Sequence, residues 1–96
     1  MYASVQRYER VAGTTDRLAL AGRQLASLLS RQPGFISFVV LEAREGGFTS
    51  ISFFDDEPSL EQANRLATAW IGENLGGLPP DPAPVATGEV IAQEGL

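Results

Sequence analysis

Three consecutive acidic residues, Asp55, Asp56 and Glu57, form the densest group of side chains in the sequence that could do chemistry. Converging carboxylates can bind Mg²⁺ or Ca²⁺. Carboxylates directly before a helix can instead cap its first turn and interact favourably with its dipole. Because Pro58 and an amphipathic segment follow, the sequence favours the capping role and predicts no metal site.

The chain contains no histidine and no cysteine, so the commonest general base and the thiolate nucleophile are both missing. Ser37, Ser50 and Ser52 therefore have no partner for a hydrolytic triad. Seven Lys plus Arg against twelve Asp plus Glu give a net charge of -5, which repels nucleic acids and anionic membranes. No stretch approaches the roughly 20 apolar residues of a membrane span. These features predict a cytoplasmic protein that binds neither nucleic acid nor membrane.

The length of 96 residues predicts a single domain, 1–96. Alternating and helically spaced apolar residues predict the element order βαββαβ. The predicted strands are 2–9, 35–43, 48–54 and 85–92. The first helix begins near Thr14 or Thr15 and stops at Pro33-Gly34; the second begins near Pro58, with Ser59 and Gln62 as a capping box, and stops at Gly76-Gly77. Gly46 and Gly47 can supply the turn between the second and third strands.

This order predicts an α+β fold of the ferredoxin-like class, an antiparallel sheet with both helices on one face. Yet the second and third strands are apolar on both faces. Alternation places Phe35, Val39 and Leu41 opposite Ile36, Phe38 and Val40, and Phe48 and Phe54 opposite Ile51 and Phe53. Two helices cover one face, so a second copy is predicted to cover the other by sheet-to-sheet packing, with Phe38 or Ile51 as candidate contact residues.

Four segments resemble landmarks of the antibiotic-biosynthesis-monooxygenase-like family of dimeric α/β barrels: QPGFISFVVLEA, SISFFDDEPSLEQA, ATAWIGENLGGL and VATGEVI. The resemblance covers nearly the whole chain. It implies a homodimer whose two sheets form a barrel, with a cavity between each sheet and its helices for aromatic polyketides or haem. It also implies that no cofactor is needed, because in quinone-forming members the substrate itself activates oxygen. Haem-degrading members need a histidine on the second helix, which disfavours haem here.

The resemblance places Trp70 and Asn64, both on the second helix, nearest to the family's functional positions and predicts them as catalytic residues. A tryptophan can stack on an aromatic substrate, and an asparagine amide can hold a phenolate oxygen as charge develops. Six residues of helix separate them by about 120° around the axis, so they need not face one cavity. Asn74 shares the Trp70 face, and Tyr8 offers a hydroxyl; both are predicted to bind substrate.

Each of these residues also has an ordinary structural role. Trp70 suits a helical core, Asn64 a solvated helix face, Asn74 a helix end and Tyr8 a packed sheet. The sequence therefore predicts either a cofactor-free monooxygenase acting on a hydrophobic, aromatic substrate, or a non-catalytic dimer that binds a small hydrophobic ligand or serves as an interaction module.

Overall fold

A computed structural model describes residues 1–8, 15–44, 47–74 and 83–96 of the chain. Its elements are β1 (Tyr2–Tyr8), α1 (Thr15–Ser30), β2 (Phe35–Glu42), β3 (Phe48–Phe54), α2 (Glu57–Asn74) and β4 (Ala83–Glu89). The predicted βαββαβ order and α+β class are therefore confirmed. In the described part of the chain, neither helix is long and apolar enough to cross a lipid bilayer.

The four strands form one antiparallel sheet in the order β2-β3-β1-β4. Helix α1 packs on β2, and α2 packs on β1 and β3, so both helices lie on one face of the sheet as predicted. The edge strand β4 pairs with β1, and its side chains from Val85 to Glu89 are exposed.

The core lies between the helices and the sheet. Helix α2 contributes Leu60, Ala63, Ala67 and Ile71, whose spacing of three to four residues gives one buried stripe. The remaining buried members of the core are Tyr8, Leu25, Leu29, Phe48 and Phe54. This stripe is the helically spaced apolar pattern from which the second helix was predicted.

Strand β3 shows strict alternation between its two faces. Phe48, Ser50, Ser52 and Phe54 are buried beneath the helices. Thr49, Ile51 and Phe53 alternate with them and are half-buried on the opposite face, which is called the outer face below. The prediction that Phe48 and Phe54 point one way while Ile51 and Phe53 point the other is confirmed.

Strand β2 contains a register shift that the alternation rule did not predict. Phe35 pairs with Phe54, but Ser37 already pairs with Phe53, so Ile36 is an extra residue on this strand. A bulge of this kind reverses the alternation on one side of it. The prediction that Phe35 shares a face with Val39 is wrong: Phe35 contacts Phe54 edge to face, with ring centroids 5.7 Å apart.

The same register places Phe38 beneath the helices, because its partner Ser52 is buried there. Phe38 packs against the core and is not a contact residue on the outer face, so that alternative is wrong. Val39 pairs with Ile51 on the outer face, and Val39 is 45% exposed.

Helix α2 begins one turn earlier than the predicted capping box. The backbone N–H of Ser59 donates to Oδ1 of Asp56 over 2.8 Å, so Asp56 is the N-cap and Ser59 lies inside the first turn. This hydrogen bond lowers the pKa of Asp56. The acidic segment therefore caps the helix, as its position before Pro58 suggested, and the Ser59–Gln62 box is wrong.

The end of strand β4 differs from its predicted position, and one predicted turn residue is confirmed. Strand β4 ends at Glu89 rather than at residue 92, because Glu89 lies opposite Tyr2, where its partner β1 begins. Gly47 has a φ of 77°, which confirms it as a turn residue. The predicted cap at Thr14, the turn position Gly46, the helix end at Gly76-Gly77 and the proline-rich segment 78–84 lie wholly or mostly outside the described residues.

Candidate functional site

A cleft of about 410 Å³ lies between α1 and β2. Its lining residues are Ala19, Gly22, Arg23, Ala26, Phe38, Val40, Glu42 and Phe48. The cleft exists because α1 presents small residues at positions 19, 22 and 26, while β2 and β3 present large apolar ones. An apolar cleft with few polar groups suits a hydrophobic, planar ligand.

The cleft continues inward to Trp70. A small inner pocket of about 20 Å³ shares Gly22, Val40 and Phe48 with the cleft and adds Trp70 and Ile71. Trp70 is half-buried and packs against the core. Its indole ring therefore lines a pocket that is adjacent to the cleft and shares part of its wall.

Two charged residues, Arg23 and Glu42, lie among the cleft's lining. Glu42 already takes part in an interaction within the chain. Across residues 1–8, 15–44, 47–74 and 83–96, no three acidic side chains converge in a way that could hold a metal ion. The cleft as described therefore offers ring contacts and two charges rather than a ligand set for a metal.

Asn64 lies on the other flank of α2, away from the cleft. Its Nδ2 donates to Oγ of Ser4 on β1 over 3.3 Å, and the Thr87 hydroxyl on β4 donates to the same Oγ over 3.3 Å. Ser4 is 1% exposed, whereas Asn64 is half-buried. The structure thus does not bring Asn64 and Trp70 together: Asn64 faces β1 and β4, and Trp70 faces α1 and β2.

Asn74 lies at the C-terminal end of α2, where its side chain is exposed. Its Nδ2 donates to the backbone carbonyl of Trp70 over 2.8 Å. Asn74 lies four residues after Trp70, so this bond ties the Asn74 side chain to the preceding turn of the same helix. Asn74 is therefore adjacent to Trp70 through the backbone rather than in the cleft.

Tyr8 lies behind the wall of the cleft. It is 2% exposed and stacks on Phe48, with ring centroids 4.5 Å apart. Its hydroxyl donates to Oε1 of Gln6 over 3.3 Å. Burial raises the pKa of Tyr8 to about 12, so near neutral pH the hydroxyl can donate a hydrogen bond but cannot act as a base.

The sequence reasoning missed the cleft residues on α1 and β2. The signal that could have found the cleft is the spacing of Ala19, Gly22 and Ala26, three small residues on one helix face opposite the large residues of β2.

A four-stranded antiparallel sheet with two helices on one face, in the order βαββαβ, defines a ferredoxin-like α+β fold. Within that class, the antibiotic biosynthesis monooxygenase family model matches residues 1–68, and the chain belongs to this family. No curated protein sequence matches the chain.

Solved structures share the fold over nearly the whole chain. SnoaB from Streptomyces nogalater, a cofactor-independent oxygenase, is 20% identical, with 99% of this chain and 95% of SnoaB covered and a TM-score of 0.65. An antibiotic biosynthesis monooxygenase is 14% identical, with 96% and 100% covered and a TM-score of 0.70. A MhuD variant with two manganese protoporphyrin IX molecules per active site is 17% identical, with 99% of each chain covered and a TM-score of 0.64. At these identities the similarity establishes the fold alone.

Proposed function

We propose that the protein is a cofactor-independent monooxygenase whose hydrophobic, aromatic substrate binds in the cleft between α1 and β2. The observation that carries this proposal is the apolar cleft that leads to Trp70 in a chain of this family. The structural similarity to SnoaB, a cofactor-independent oxygenase, supports the same class of reaction.

The proposed reaction is balanced without a cofactor. In an anthrone-like substrate, a methylene carbon loses two hydrogens and gains one oxygen atom as a carbonyl. The second oxygen atom of O₂ leaves as water with the two hydrogens. The substrate supplies all four electrons and O₂ accepts them, so no side chain changes its oxidation state. The protein's part is to bind and orient the ring system and to stabilise charge on a substrate oxygen.

The proposed roles follow the positions of the side chains. Phe38 and Val40 form an apolar floor, and Trp70 stacks on the ring at the inner end of the cleft. Asn64 donates an N–H to the substrate oxygen on which charge develops. Because the packed stripe of α2 lies between Asn64 and the cleft, the proposed contact with Asn64 involves a part of the substrate that lies outside the cleft, on the flank of α2 next to β1.

Tyr8 and Asn74 have indirect roles in the same proposal. Tyr8 supports substrate binding through Phe48, on which it stacks and which lines the cleft. Asn74 supports it through the carbonyl of Trp70, which it binds. Neither side chain lines the cleft itself, so both are proposed to act by holding a lining residue in place.

We propose that the active form is a homodimer in which the outer faces of two sheets pack together. On the isolated chain, Val39 is 45% exposed and Leu41 is 46% exposed on this face, beside half-buried Ile51 and Phe53. Soluble monomers rarely leave a contiguous apolar sheet face of this kind in water. A second copy would cover it by sheet-to-sheet packing.

Two measurements on one panel of anthrone-like and quinol compounds test the function. Oxygen uptake reports turnover, and the fluorescence of Trp70, the single tryptophan of the chain, reports binding. The proposal expects uptake that falls in a Trp70→Phe variant. Uptake no greater than that of Trp70→Phe for every compound would contradict it. Fluorescence changes without uptake would instead support the non-catalytic dimer that binds a small hydrophobic ligand.

A further inference from the structure

Ser4 is the most buried polar residue of the described chain, at 1% exposed, and it joins three elements. A hydroxyl in a core is unfavourable unless it is hydrogen-bonded. The Ser4 oxygen on β1 accepts one hydrogen bond from Asn64 on α2 and one from Thr87 on β4, each 3.3 Å long. The Ser4 hydroxyl is therefore the point at which the Asn64 side chain is tied to the sheet.

The sheet fixes both ends of this link. Ser4 and Thr87 are directly opposite each other in the β1–β4 ladder. Ser4 is also opposite Ser52 in the β1–β3 ladder, so Ser4 belongs to a central strand that is paired on both sides. Directly opposed side chains in an antiparallel pair lie about 4.5–5.5 Å apart at Cβ. Backbone pairing on both sides therefore sets the position of the Ser4 hydroxyl, which accepts the hydrogen bond from Asn64.

The hydrogen bond to Ser4 constrains the Asn64 amide but does not use all of its donors and acceptors. An asparagine side chain has two N–H donors and one carbonyl acceptor, and its terminal torsion is broad when nothing holds it. The bond to Ser4 uses one N–H. The second N–H and the carbonyl oxygen of Asn64 remain for another group, in an orientation that Ser4 defines.

We propose that Ser4 and Thr87 are positioning residues that hold the Asn64 carboxamide in its working orientation. This inference rests on the proposed function, in which Asn64 donates to a substrate oxygen as charge develops. An interaction that strengthens only as charge develops stabilises the transition state and not the bound substrate. Misalignment of the Asn64 amide is therefore expected to lower kcat and to leave KM unchanged.

Ser4→Ala removes the acceptor and tests the role directly. We expect kcat to fall roughly 10- to 100-fold, the range that a misplacement of about 1 Å can cause. We expect KM to stay within about threefold. Ser50→Ala is the matched control, since Ser50 is 7% exposed on the same sheet face and is not bonded to Asn64. An equal loss of kcat in both variants would overturn the positioning role.

Thr87 gives a second test that does not risk the fold, because its side chain is exposed. Thr87→Ser keeps the hydroxyl, and Thr87→Val keeps the shape without it. We expect Thr87→Ser to retain the kcat of the unaltered protein and Thr87→Val to lower it, by less than Ser4→Ala does. Identical kcat values for Thr87→Ser and Thr87→Val would overturn the contribution of Thr87.

The ¹⁵N NMR signals of the Asn64 side-chain amide report the link independently of turnover. We expect them to shift in Ser4→Ala and to stay in Ser50→Ala. Unshifted signals in Ser4→Ala would overturn the link itself, and shifted signals with unchanged kcat would overturn its role in catalysis. If the unaltered protein turns over none of the compounds, the proposed function fails and the positioning role fails with it, while the NMR shift still decides whether the link exists.

Discussion

Gly22→Ala is a substitution for which the structure predicts opposite effects on stability and on ligand binding. Gly22 lies inside α1 and lines both the cleft and the inner pocket next to Trp70. A Cβ added at this position would lie 3.7 Å from Cγ2 of Val40, which is ordinary van der Waals contact. Alanine therefore fits without moving the helix, and it narrows the passage that leads to Trp70.

The stability effect follows from helix propensity. Glycine inside a helix is about 0.8–1.0 kcal/mol less favourable than alanine. In a domain of this size, 1 kcal/mol corresponds to roughly 4–8 °C in Tm. We therefore expect Tm to rise by roughly 3–8 °C in Gly22→Ala.

The binding effect follows from volume. The inner pocket next to Trp70 measures only about 20 Å³. One methyl group placed against a fitted ligand costs roughly 10- to 200-fold in affinity. A ligand that reaches Trp70 should therefore bind Gly22→Ala that much more weakly.

The assay is titration of ligands against Trp70 fluorescence, with thermal unfolding on the same samples. Gly72→Ala is the matched control: it makes the same change within α2, where an added Cβ has no atom within 4 Å. We expect Gly72→Ala to raise Tm and leave affinity unchanged. Equal affinity in Gly22→Ala and Gly72→Ala would refute the cleft as the route to Trp70, and a lower Tm in Gly22→Ala would refute the fit against Val40.

Three further predictions concern pH, assembly and capping. The pKa of Tyr8 is about 12 in the folded chain against an ordinary value of 10.0, so its contribution to the free energy of unfolding is retained below pH 10 and lost as pH rises towards 12. The urea midpoint of the unaltered protein should therefore fall between pH 9 and 11, and that of Tyr8→Phe should fall less. Equal falls in the two proteins would contradict this prediction. Val39→Glu places a charge on the outer face and should give a monomer by sedimentation at micromolar concentration. The control variant Gln24→Glu, on the exposed face of α1, should remain a dimer. A dimer in both variants would refute sheet-to-sheet packing. Asp56→Ala removes the N-cap of α2 and should lower Tm by a few degrees relative to Asp55→Ala at pH 7. This difference in Tm should vanish as pH falls through the lowered pKa of Asp56, because the protonated carboxyl no longer contributes. A difference in Tm that persists in acid would exclude the Asp56 carboxylate as its cause.

The features that the sequence predicted correctly depend on local patterns. The stripe of Leu60, Ala63 and Ala67 needs only the periodicity of one helix, and the alternation of Phe48 and Ile51 needs only that of one strand. The order of the elements then restricts the fold to a few arrangements. That is why the α+β class and the shared face of the helices could be read from the sequence.

The features that it missed depend on pairing between elements. Nothing in the local sequence marks Ile36 as an extra residue, because the bulge is defined by which residues of β3 oppose β2. The end of β4 at Glu89 is likewise fixed by the start of β1 at Tyr2. The cleft needs the small residues of α1 to lie over Val40, a fact about packing between elements that neither segment contains alone.

The separation of Trp70 and Asn64 depends both on the local geometry of one helix and on the pairing between elements. Helical geometry already placed them about 120° apart, but only the strand order decides what each one meets. Asn64 reaches Ser4 on β1, and because β4 lies beside β1 the same Ser4 hydroxyl also accepts from Thr87, while Trp70 on the opposite flank lines the small pocket beneath α1. The buried stripe of α2 lies between these two flanks, so a substrate that is short along this direction can contact only one of the two predicted catalytic residues. The size of the ligand that changes Trp70 fluorescence therefore bears directly on whether Asn64 can act on it.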